Sequence, residues 1–511
     1  MAEIEAKFLV RRPGQVDAAL AALATAGIEA EAGQPALQLD TYYDTRDWTL
    51  YRHGVAFRRR QRGSDTMLTL KSLDGAGGPV FVRDEVEQAL GDAPADLLPP
   101  GPVANRLAEL GAPAPGRKLF SVRTRRKSWH LRHRDAPDSE FRLDVDETVI
   151  RPHRPRAGAA GRLAFTELEL ELVTGPVARL QAAAELLAAG TGLVPARMGK
   201  FDRGLLAGGF VVPEADAEIP GRKLTRHDRV TDLLFRELSG QARILAAQEP
   251  VAWEGIDPEG VHGMRVATRR IRALLREFRD LVPARPLEKE FRWLARRLGV
   301  ARDADVGMHD YQVHAALLPA ETVAELDAVE RQLREAQVAA HELLDTVFPC
   351  DRYRSLMALF RAFIADGSAT RDFDAPTIEA AAADRVTAIA ARVIARGDAL
   401  GAAATAAELH ALRIIAKRLR YLLELFGTVQ TRRWRRAIAA VQSLHDILGT
   451  HQDAVTGLER LTACTDELAA SERTPAFDAA LGALEALEKK RIAACRDQFP
   501  AAWSRVRLCL A

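Results

Sequence analysis

The chain has 511 residues, of which 48% are hydrophobic and 28% charged, and its formal net charge is +2. A length of this order accommodates roughly two to four domains. The near-zero net charge excludes a global positive field as the basis of ligand binding. Any charged binding surface must therefore come from local clusters of residues.

Three features favour a cytoplasmic protein without a membrane span. The first residues carry acids and no apolar run, which disfavours a secretory signal. No run of about 18 uncharged apolar residues predicts a membrane helix. The cysteines form no CxxC pair, which disfavours a disulfide framework and a structural zinc site and fits a reducing compartment. These cysteines are Cys350, Cys464, Cys495 and Cys509.

The residue pattern changes near position 210. Before it, short segments alternate polar and apolar residues and are broken by Gly and Pro, which is typical of strands. After it, Ala, Leu, Arg and Glu recur with helical spacing, and a short polar stretch with two prolines separates the two parts. We predict an N-terminal domain at 1–210, a linker at 211–222 and a helical domain at 223–511.

Charged residues of the N-terminal part recur at every second position, so each strand carries them on one face. About eight strands can be counted, and acids and bases are partly segregated between them. The in-phase sets are Glu3, Glu5 and Lys7; Arg58, Arg60 and Arg62; Thr69 and Lys71; Arg83, Glu85 and Glu87; Arg123, Arg125 and Lys127; Asp144 and Asp146; and Glu167, Glu169 and Glu171.

Two interpretations of this pattern remain open at the sequence level. One is an amphipathic sheet with a solvated face. The other is a closed barrel in which the charges converge, where like charges are tolerated only if a ligand or metal neutralises them. A polyanion bridged to carboxylates by Mg²⁺ or Mn²⁺ would satisfy both the acidic and the basic strands.

Several motifs in this part resemble the CYTH family, the triphosphate tunnel metalloenzymes. The segment Glu3–Lys7 matches the family's ExExK signature, and the later motifs follow in the family's order over about residues 1–205. Gly199 stands where the family usually has Ser before the lysine. The later motifs are Tyr42–Thr45, Arg52–Arg60, Leu68–Lys71, Arg83–Glu87, the strand with Arg123 and Arg125, Asp144–Asp146, Glu167–Glu171 and Gly199–Phe201.

This resemblance implies an α+β domain, an eight-stranded antiparallel tunnel with flanking helices, that binds a triphosphate and Mg²⁺ or Mn²⁺. It implies that Asp144 and Asp146 hold a second metal ion or align water. The implied metal ligands are Glu3, Glu5, Glu169 and Glu171, with Glu167 as a further candidate. The implied phosphate ligands are Lys7, Arg58, Arg60, Lys71, Arg123, Arg125 and Lys200.

One helix of the C-terminal part carries cations along one side and apolar residues along the other, at 100° per residue. The same register returns later in the chain, which indicates an internal duplication. Leu298-Gly299 with Asp303 is likewise echoed by Leu448-Gly449 with Asp453. The first stripe contains His262, Arg265, Arg269, Arg270, Arg272 and Arg276, and the second contains His410, Arg413, Lys417, Arg418 and Arg420.

A solvated helix surface is the plain interpretation of one such stripe. Here the residues at i+3 and i+4 are other cations, which repel each other unless a polyanion is bound. Two related stripes are therefore expected to line one groove. A metal site at His262 or His410 is disfavoured because neither has a His or Cys at i+4, so hydrogen bonding to the anion is expected instead.

The repeated pattern His-x-x-Arg-x-x-x-Arg/Lys-Arg-x-Arg resembles the CHAD family over about residues 222–511. The resemblance implies an all-α domain of two duplicated four-helix bundles with a basic channel that binds inorganic polyphosphate. It also implies association with polyphosphate granules.

We therefore expect a divalent-metal-dependent inorganic triphosphatase joined to a polyphosphate-binding domain. One alternative is a non-catalytic polyphosphate-granule protein. Another is a triphosphatase for thiamine triphosphate, nucleotides or RNA 5′ ends. Nucleic acid is disfavoured as a partner of the stripes because exposed aromatic residues for base stacking are few, with Tyr421 the nearest candidate.

Overall fold

The computed structural model describes residues 2–73, 80–91, 98–112, 116–156, 161–210, 223–369, 374–401, 403–429, 431–468 and 473–510. The chain forms two compact units. The first is Met1–Ile219 with Pro250–Asp257, and the second is Pro220–Glu249 with Pro258–Ala511. The predicted linker at 211–222 lies outside the described residues.

The first unit contains a closed antiparallel barrel of eight strands, as predicted. Its ring runs β1-β6-β5-β4-β3-β7-β8-β9 and closes through pairing of β1 with β9, while β2 and β10 add to β7 and β1. The strands are β1 Ala2–Val10, β2 Ile28–Ala32, β3 Ala36–Asp44, β4 Val55–Arg62, β5 Asp65–Ser72, β6 Val80–Ala89, β7 Arg117–His133, β8 Ala136–Pro152, β9 Leu163–Thr174 and β10 Val194–Pro195.

The apolar core of this unit lies outside the barrel wall. Phe8 and Leu168 point outward from β1 and β9 and pack with Leu23 and Leu180 of two covering helices. Because side chains alternate across a strand, the charged residues between these apolar ones face the barrel interior. The helices of this unit are α1 Gln15–Thr25, α2 Thr49–Arg52, α3 Pro102–Glu109, α4 Val177–Gly190 and α5 Lys200–Gly208.

The remaining elements are all helices, as predicted for the C-terminal part. Their apolar faces are buried, as Val261, Ile271 and Leu275 illustrate for α7. They are α6 Val230–Glu254, α7 Pro258–Glu277, α8 Arg285–Ala315, α9 Ala320–Ala324, α10 Asp327–Val347, α11 Asp351–Ala369, α12 Ile378–Asp398, α13 Ala406–Gly427, α14 Thr431–Glu467 and α15 Pro475–Leu510.

The internal repeat is visible in how these helices pack. In the first repeat α7 packs on α8 and α8 on α10, and in the second α13 packs on α14 and α14 on α15. Arg229 and Thr377, just before α6 and α12, form an antiparallel bridge. Arg229 and Thr377 are separated by the same number of residues as His262 and His410. They are therefore equivalent positions of the two repeats, and each faces the other. This is the arrangement that a local pseudo-two-fold axis produces.

Within the described residues, every helix is too short or too polar to cross a membrane.

Candidate functional site

The barrel encloses a cavity of about 1280 Å³, and more than half of its lining residues are charged. Both acidic and basic side chains from nearly every strand point into it, together with the first residues of α5. The charged lining residues are Glu3, Glu5, Lys7, Arg58, Arg60, Arg62, Asp65, Lys71, Arg83, Glu85, Glu87, Arg126, Arg142, Glu169, Glu171, Lys200 and Asp202.

Basic residues on β4 and β5 are held by acids of neighbouring strands. Arg60 donates two hydrogen bonds of 2.8 Å to Asp40 on β3, and Arg58 lies 3.2 Å from Glu85 on β6. Lys71 contacts Glu3 and lies 3.3 Å from Glu85. Burial would raise the pKa of Asp40, but the charges of Arg60 and Arg58 outweigh it and keep that pKa below its usual value.

Lys7 and Lys200 meet the acids of β9. Lys7 Nζ lies 2.5 Å from Glu169 and 3.1 Å from Glu5, and Lys200 Nζ lies 2.8 Å from Asp146 and 3.0 Å from Glu169. Burial alone would lower the pKa of both lysines. The surrounding carboxylates outweigh it and raise the pKa values of Lys7 and Lys200. Both ammonium groups therefore stay charged at neutral pH.

The expectation that Arg123 and Arg125 face the tunnel is wrong. Both side chains are exposed on the outside of β7, and Arg126 points inward instead. The pairing of β7 with β3 sets this phase, because the buried Gln38 lies opposite Thr124, two positions before Arg126.

Arg126 is the most highly coordinated cation of the barrel interior. It donates hydrogen bonds of 2.6–2.7 Å to Asp144, Asp146 and Glu169, and Ser128 donates another of 2.6 Å to Asp144. Both aspartates are buried. They hold Arg126 in place, and Asp146 is in addition one of three acids that could hold a metal ion.

Glu3, Glu5 and Glu171 form a group of neighbouring carboxylates that contact Lys71, Lys7 and Arg142. Glu5 on β1 lies opposite Glu171 on β9, and one buried carboxylate oxygen of Glu5 is held by ion pairs alone, with Lys7 at 3.1 Å and with Lys71 and Arg83 at 3.7 Å. Burial raises the pKa of Glu171 to about 7, and the nearby charges of Glu3 and Glu5 add to this effect against the opposing charge of Arg142. Crowded carboxylate oxygens fit a hard divalent cation.

A second group of acids lies deeper, on β8 and β9. Carboxylate oxygens of Asp146, Glu167 and Glu169 lie within 4.8 Å of one another and could also hold a metal ion. Here the cations Lys200, Arg126 and Arg203 already neutralise the acids. These cations outweigh burial and lower the pKa values of Glu167 and Glu169, whereas the pKa of Glu171 is raised, so the group around Glu171 gains more from a metal ion.

Several cavity residues were not predicted as ligands from the sequence. Arg83 lies 3.7 Å from Glu5, and Arg142 contacts Glu171. Arg83 and Arg142 alternate with acids on their own strands, which could have indicated that they face the cavity. A strand face with charges of both signs is also typical of a solvated surface, however. Arg203 and Glu254, behind the cavity wall, had no sequence signal because their pairing depends on the folded chain.

The two basic stripes of the helical unit come together. The charges of Arg265 and Arg269 on α7, and of Arg413 and Arg420 on α13, all act on Lys417 of α13. Burial and then these charges lower the pKa of Lys417 to about 7. The same surroundings lower the pKa of His445 on α14 to about 3, with burial again the largest cause. Such a cluster of mutually repelling cations is typical of an anion-binding surface.

Three of the predicted stripe residues are held by glutamates. Arg270 lies 2.8 Å from Glu424 on α13, and Arg418 lies 2.6 Å from Glu277 on α7. Arg420 lies 2.6 Å from Glu424 as well. In the two cross-helix pairs, each helix supplies one arginine and one glutamate. Residue spacing along a single helix could not predict these pairs.

The remaining stripe residues surround this cluster. Burial and the charges of neighbouring arginines, Arg265 and Arg269 among them, lower the pKa of His262. The histidine of the second repeat, His410, forms a hydrogen bond of 2.7 Å with Gln452. Arg276 lies near Arg418, and burial followed by that charge lowers its pKa. Arg272 extends the cluster toward Arg292 and Arg296 of α8, which lower its pKa after burial.

The fold and these sites define a two-domain protein with a charged internal tunnel and a paired basic helix surface. Comparison with family models agrees: the chain contains a CYTH domain at residues 1–203 and a CHAD domain at residues 236–462.

Similar proteins span most of the chain. Two Mycobacterium tuberculosis proteins, MT2285 and Rv2226, are each 28% identical to it over 488 residues, which is 92% of this chain and 90% of theirs. Among solved structures, the CHAD domain from the plant Ricinus communis covers 56% of this chain and 97% of its own, with 24% identity and a TM-score of 0.47. HpAC1 from Hippeastrum covers 41% of this chain and 98% of its own, with 21% identity and a TM-score of 0.30.

Proposed function

We propose that the barrel hydrolyses inorganic triphosphate in the presence of Mg²⁺ or Mn²⁺. The observation that carries this proposal is the cavity wall, where basic residues suited to phosphate oxygens face acids suited to a divalent cation. A triphosphate bridged by a metal ion neutralises both sets of charges at once.

In this mechanism the chain mainly positions and neutralises the substrate, as phosphoryl transfer requires. Lys7, Arg58, Arg60, Lys71 and Lys200 bind phosphate oxygens, and Arg126 joins them from β7. Asp144 and Asp146 keep the Arg126 guanidinium fixed, so that its N–H groups need no reorientation during the reaction. Asp40 does the same for Arg60.

Glu3, Glu5 and Glu171, together with Glu169, would hold the metal ion. When bound there, a divalent cation polarises the phosphoryl group and lowers the pKa of a coordinated water. These carboxylates would hold it in their ionised form, so the raised pKa of Glu171 implies that metal affinity would increase with pH near neutrality.

Release of inorganic phosphate from triphosphate tests this proposal. Wild type should release phosphate with Mg²⁺ or Mn²⁺ and be silent with EDTA, and Glu3→Gln should lose most of the activity. Glu29→Gln is the matched control, because Glu29 is an exposed glutamate of the same unit paired with Arg134 at 3.2 Å. Silence of wild type on triphosphate, ATP and thiamine triphosphate alike would favour the non-catalytic binding protein.

We further propose that the basic stripes of the helical unit bind inorganic polyphosphate and that this binding underlies association with polyphosphate granules. Burial and then neighbouring cations lower the pKa values of Arg413, Lys417 and Arg276, with Arg269 acting on the first two and Arg418 on the third. This supports the proposal, because a bound polyanion would relieve the repulsion.

Competition distinguishes polyphosphate from nucleic acid. At matched phosphate concentration and moderate salt, single-stranded RNA should fail to displace labelled polyphosphate. Arg269→Ala should weaken polyphosphate binding, whereas Arg396→Ala, which removes an exposed cation of α12, should not. Displacement by RNA would instead assign the stripes to nucleic acid.

A further inference from the structure

A segment far from the barrel in sequence forms part of the barrel unit. Pro250–Asp257, at the end of α6 and just beyond it, groups with Met1–Ile219. It lies well past the end of the CYTH match at residue 203 and within the span of the CHAD match. Its side chains Trp253 and Glu254 are buried, at 6% and 2% exposure.

Glu254 makes four hydrogen bonds, all to the part of the barrel unit just before and within α5. It accepts from the Arg203 guanidinium at 2.8 and 3.2 Å. It also accepts from the backbone N–H groups of Arg197 and Met198 at 2.8 and 2.7 Å. The carboxylate therefore fixes both a side chain of α5 and the backbone turn that leads into α5.

Arg203 carries this connection to the cavity wall. Its side chain is fully buried, and its other N–H group donates to Glu167 at 2.5 Å. Glu167 in turn contacts Lys200, whose ammonium group lies in the cavity beside Asp146 and Glu169. Charges of alternating sign thus run from Glu254 through Arg203 and Glu167 to Lys200.

Two carboxylates around one guanidinium are a physical requirement at this depth. A fully buried arginine is strongly destabilised unless its charge and its N–H groups are matched by acceptors. With Glu167 alone, Arg203 would draw that carboxylate toward itself and away from Lys200. Glu254 supplies the second acceptor and leaves Glu167 placed between Arg203 and Lys200.

We propose that Glu254 is a positioning residue of the barrel site, acting through Arg203 and Glu167 on Lys200 and on the adjacent acids. This inference rests on the proposed function, in which Lys200 binds a phosphate oxygen. Glu254 itself lies behind the wall and touches no substrate. A partner that hydrogen-bonds a metal ligand directly contributes about 10- to 100-fold to metal affinity or activity, and Glu254, which acts through two further residues, should contribute at the lower end of that range.

The test uses the full-length chain with Glu254→Gln, Glu254→Asp and Trp253→Phe. Trp253→Phe is the matched control. It removes a hydrogen bond of the same segment, which the Trp253 indole donates to the Pro195 carbonyl at 2.9 Å, and it leaves the contacts of Arg203 unchanged. The measurements are kcat and KM for triphosphate, Mn²⁺ affinity by electron paramagnetic resonance, and the thermal unfolding midpoint.

Glu254→Gln should lower kcat/KM and Mn²⁺ affinity by about 10-fold, Glu254→Asp should recover part of the loss, and Trp253→Phe should change only the unfolding midpoint. Equal kcat/KM and equal Mn²⁺ affinity in Glu254→Gln and Trp253→Phe would overturn the inference and leave a purely structural role. If Glu254→Gln does not fold, the comparison of Glu254→Asp with Trp253→Phe decides in the same way. If wild type hydrolyses no triphosphate, the proposed function fails, and Mn²⁺ affinity alone still decides whether Glu254 positions the acids.

Discussion

Arg125 and Arg126 are consecutive residues of β7 in opposite surroundings. The Arg125 side chain is 67% exposed and lies 3.8 Å from Glu147, an exposed partner. Arg126 is 7% exposed and is bound by Asp144, Asp146 and Glu169. Substituting one or the other therefore separates an interior charge from a surface charge at almost constant sequence.

We predict that Arg126→Met lowers both stability and triphosphatase activity, whereas Arg125→Met changes neither. Removing Arg126 leaves buried acids without a cation, which costs about 3 kcal/mol or more. Thermal unfolding and phosphate release measure the two effects. Arg126→Lys keeps the charge and should retain part of the stability, and similar losses in the Arg125 and Arg126 variants would contradict the inward placement.

Lys417 is the residue of the helical unit whose charge should respond to neutral pH. Its pKa of about 7 lies below the ordinary lysine value, so the ammonium is charged below pH 7 and neutral above it. We predict that polyphosphate affinity falls as pH rises from about 6 to 8. Lys417→Arg keeps its charge throughout and should flatten this dependence in binding titrations at both pH values. Equal slopes for wild type and Lys417→Arg would disprove titration of Lys417.

The same lowered pKa has a consequence for stability. Between pH 7 and the ordinary lysine value, the unfolded chain binds the Lys417 proton and the folded chain does not. Stability without ligand therefore rises with pH across this window, opposite in direction to polyphosphate affinity.

Helices α7 and α13 are joined by two reciprocal ion pairs, Arg270 with Glu424 and Arg418 with Glu277. These glutamates compete with any polyanion for the arginines. We predict that the double variant Glu277→Gln/Glu424→Gln is less stable without ligand, by about 1 kcal/mol, and binds polyphosphate more tightly. Thermal unfolding with and without polyphosphate measures both changes.

A matched control for these glutamates is Glu379→Gln, because Glu379 pairs with Arg226 at 3.6 Å on an exposed part of the helical unit. It should leave both quantities unchanged. Weaker polyphosphate binding by the double variant would show that the glutamates organise the arginines for the ligand and do not compete with it.

At the level of elements, the sequence predicted the barrel and the helical domain well and the individual strand faces unevenly. On β1 and β9 the charges occupy one phase, so Glu5 and Glu169 could be placed inside from alternation alone. On β7 cations occupy both phases, and only pairing with β3 decides between Arg125 and Arg126. Alternation cannot resolve such a strand, because the deciding information lies in a distant segment.

The partners of buried arginines were the other limit of sequence reasoning. Arg203 depends on Glu254, which lies at the end of α6, inside the range 223–511 predicted as the helical domain. Nothing in the local sequence indicates that the last turn of this helix completes another unit.

At the level of the whole molecule, each unit carries its own charged site, so the two proposed functions should separate by mutation. We predict that Arg269→Ala/Arg413→Ala/Lys417→Ala abolishes thermal stabilisation by polyphosphate while kcat/KM for triphosphate stays near wild type. Glu3→Gln should show the reverse. Because stabilisation by a ligand follows its concentration relative to Kd, thermal shift titration of the full chain measures polyphosphate binding, and phosphate release measures kcat/KM. Loss of triphosphatase activity in the triple variant would contradict separate sites.

The facing of Arg229 with Thr377 bears on the chemistry of the polymer. A linear polyphosphate has no direction: it presents the same spacing of oxygens whether followed from one end or the other. Helices related by a local two-fold axis would offer similar donors in either sense, although Lys417 stands in the second stripe where the first has Arg269. Both orientations of such a chain would therefore bind similarly. An RNA strand has distinct 5′ and 3′ ends, so it would run in opposite directions along the two helices. A duplicated basic helix is therefore better suited to an anion without direction.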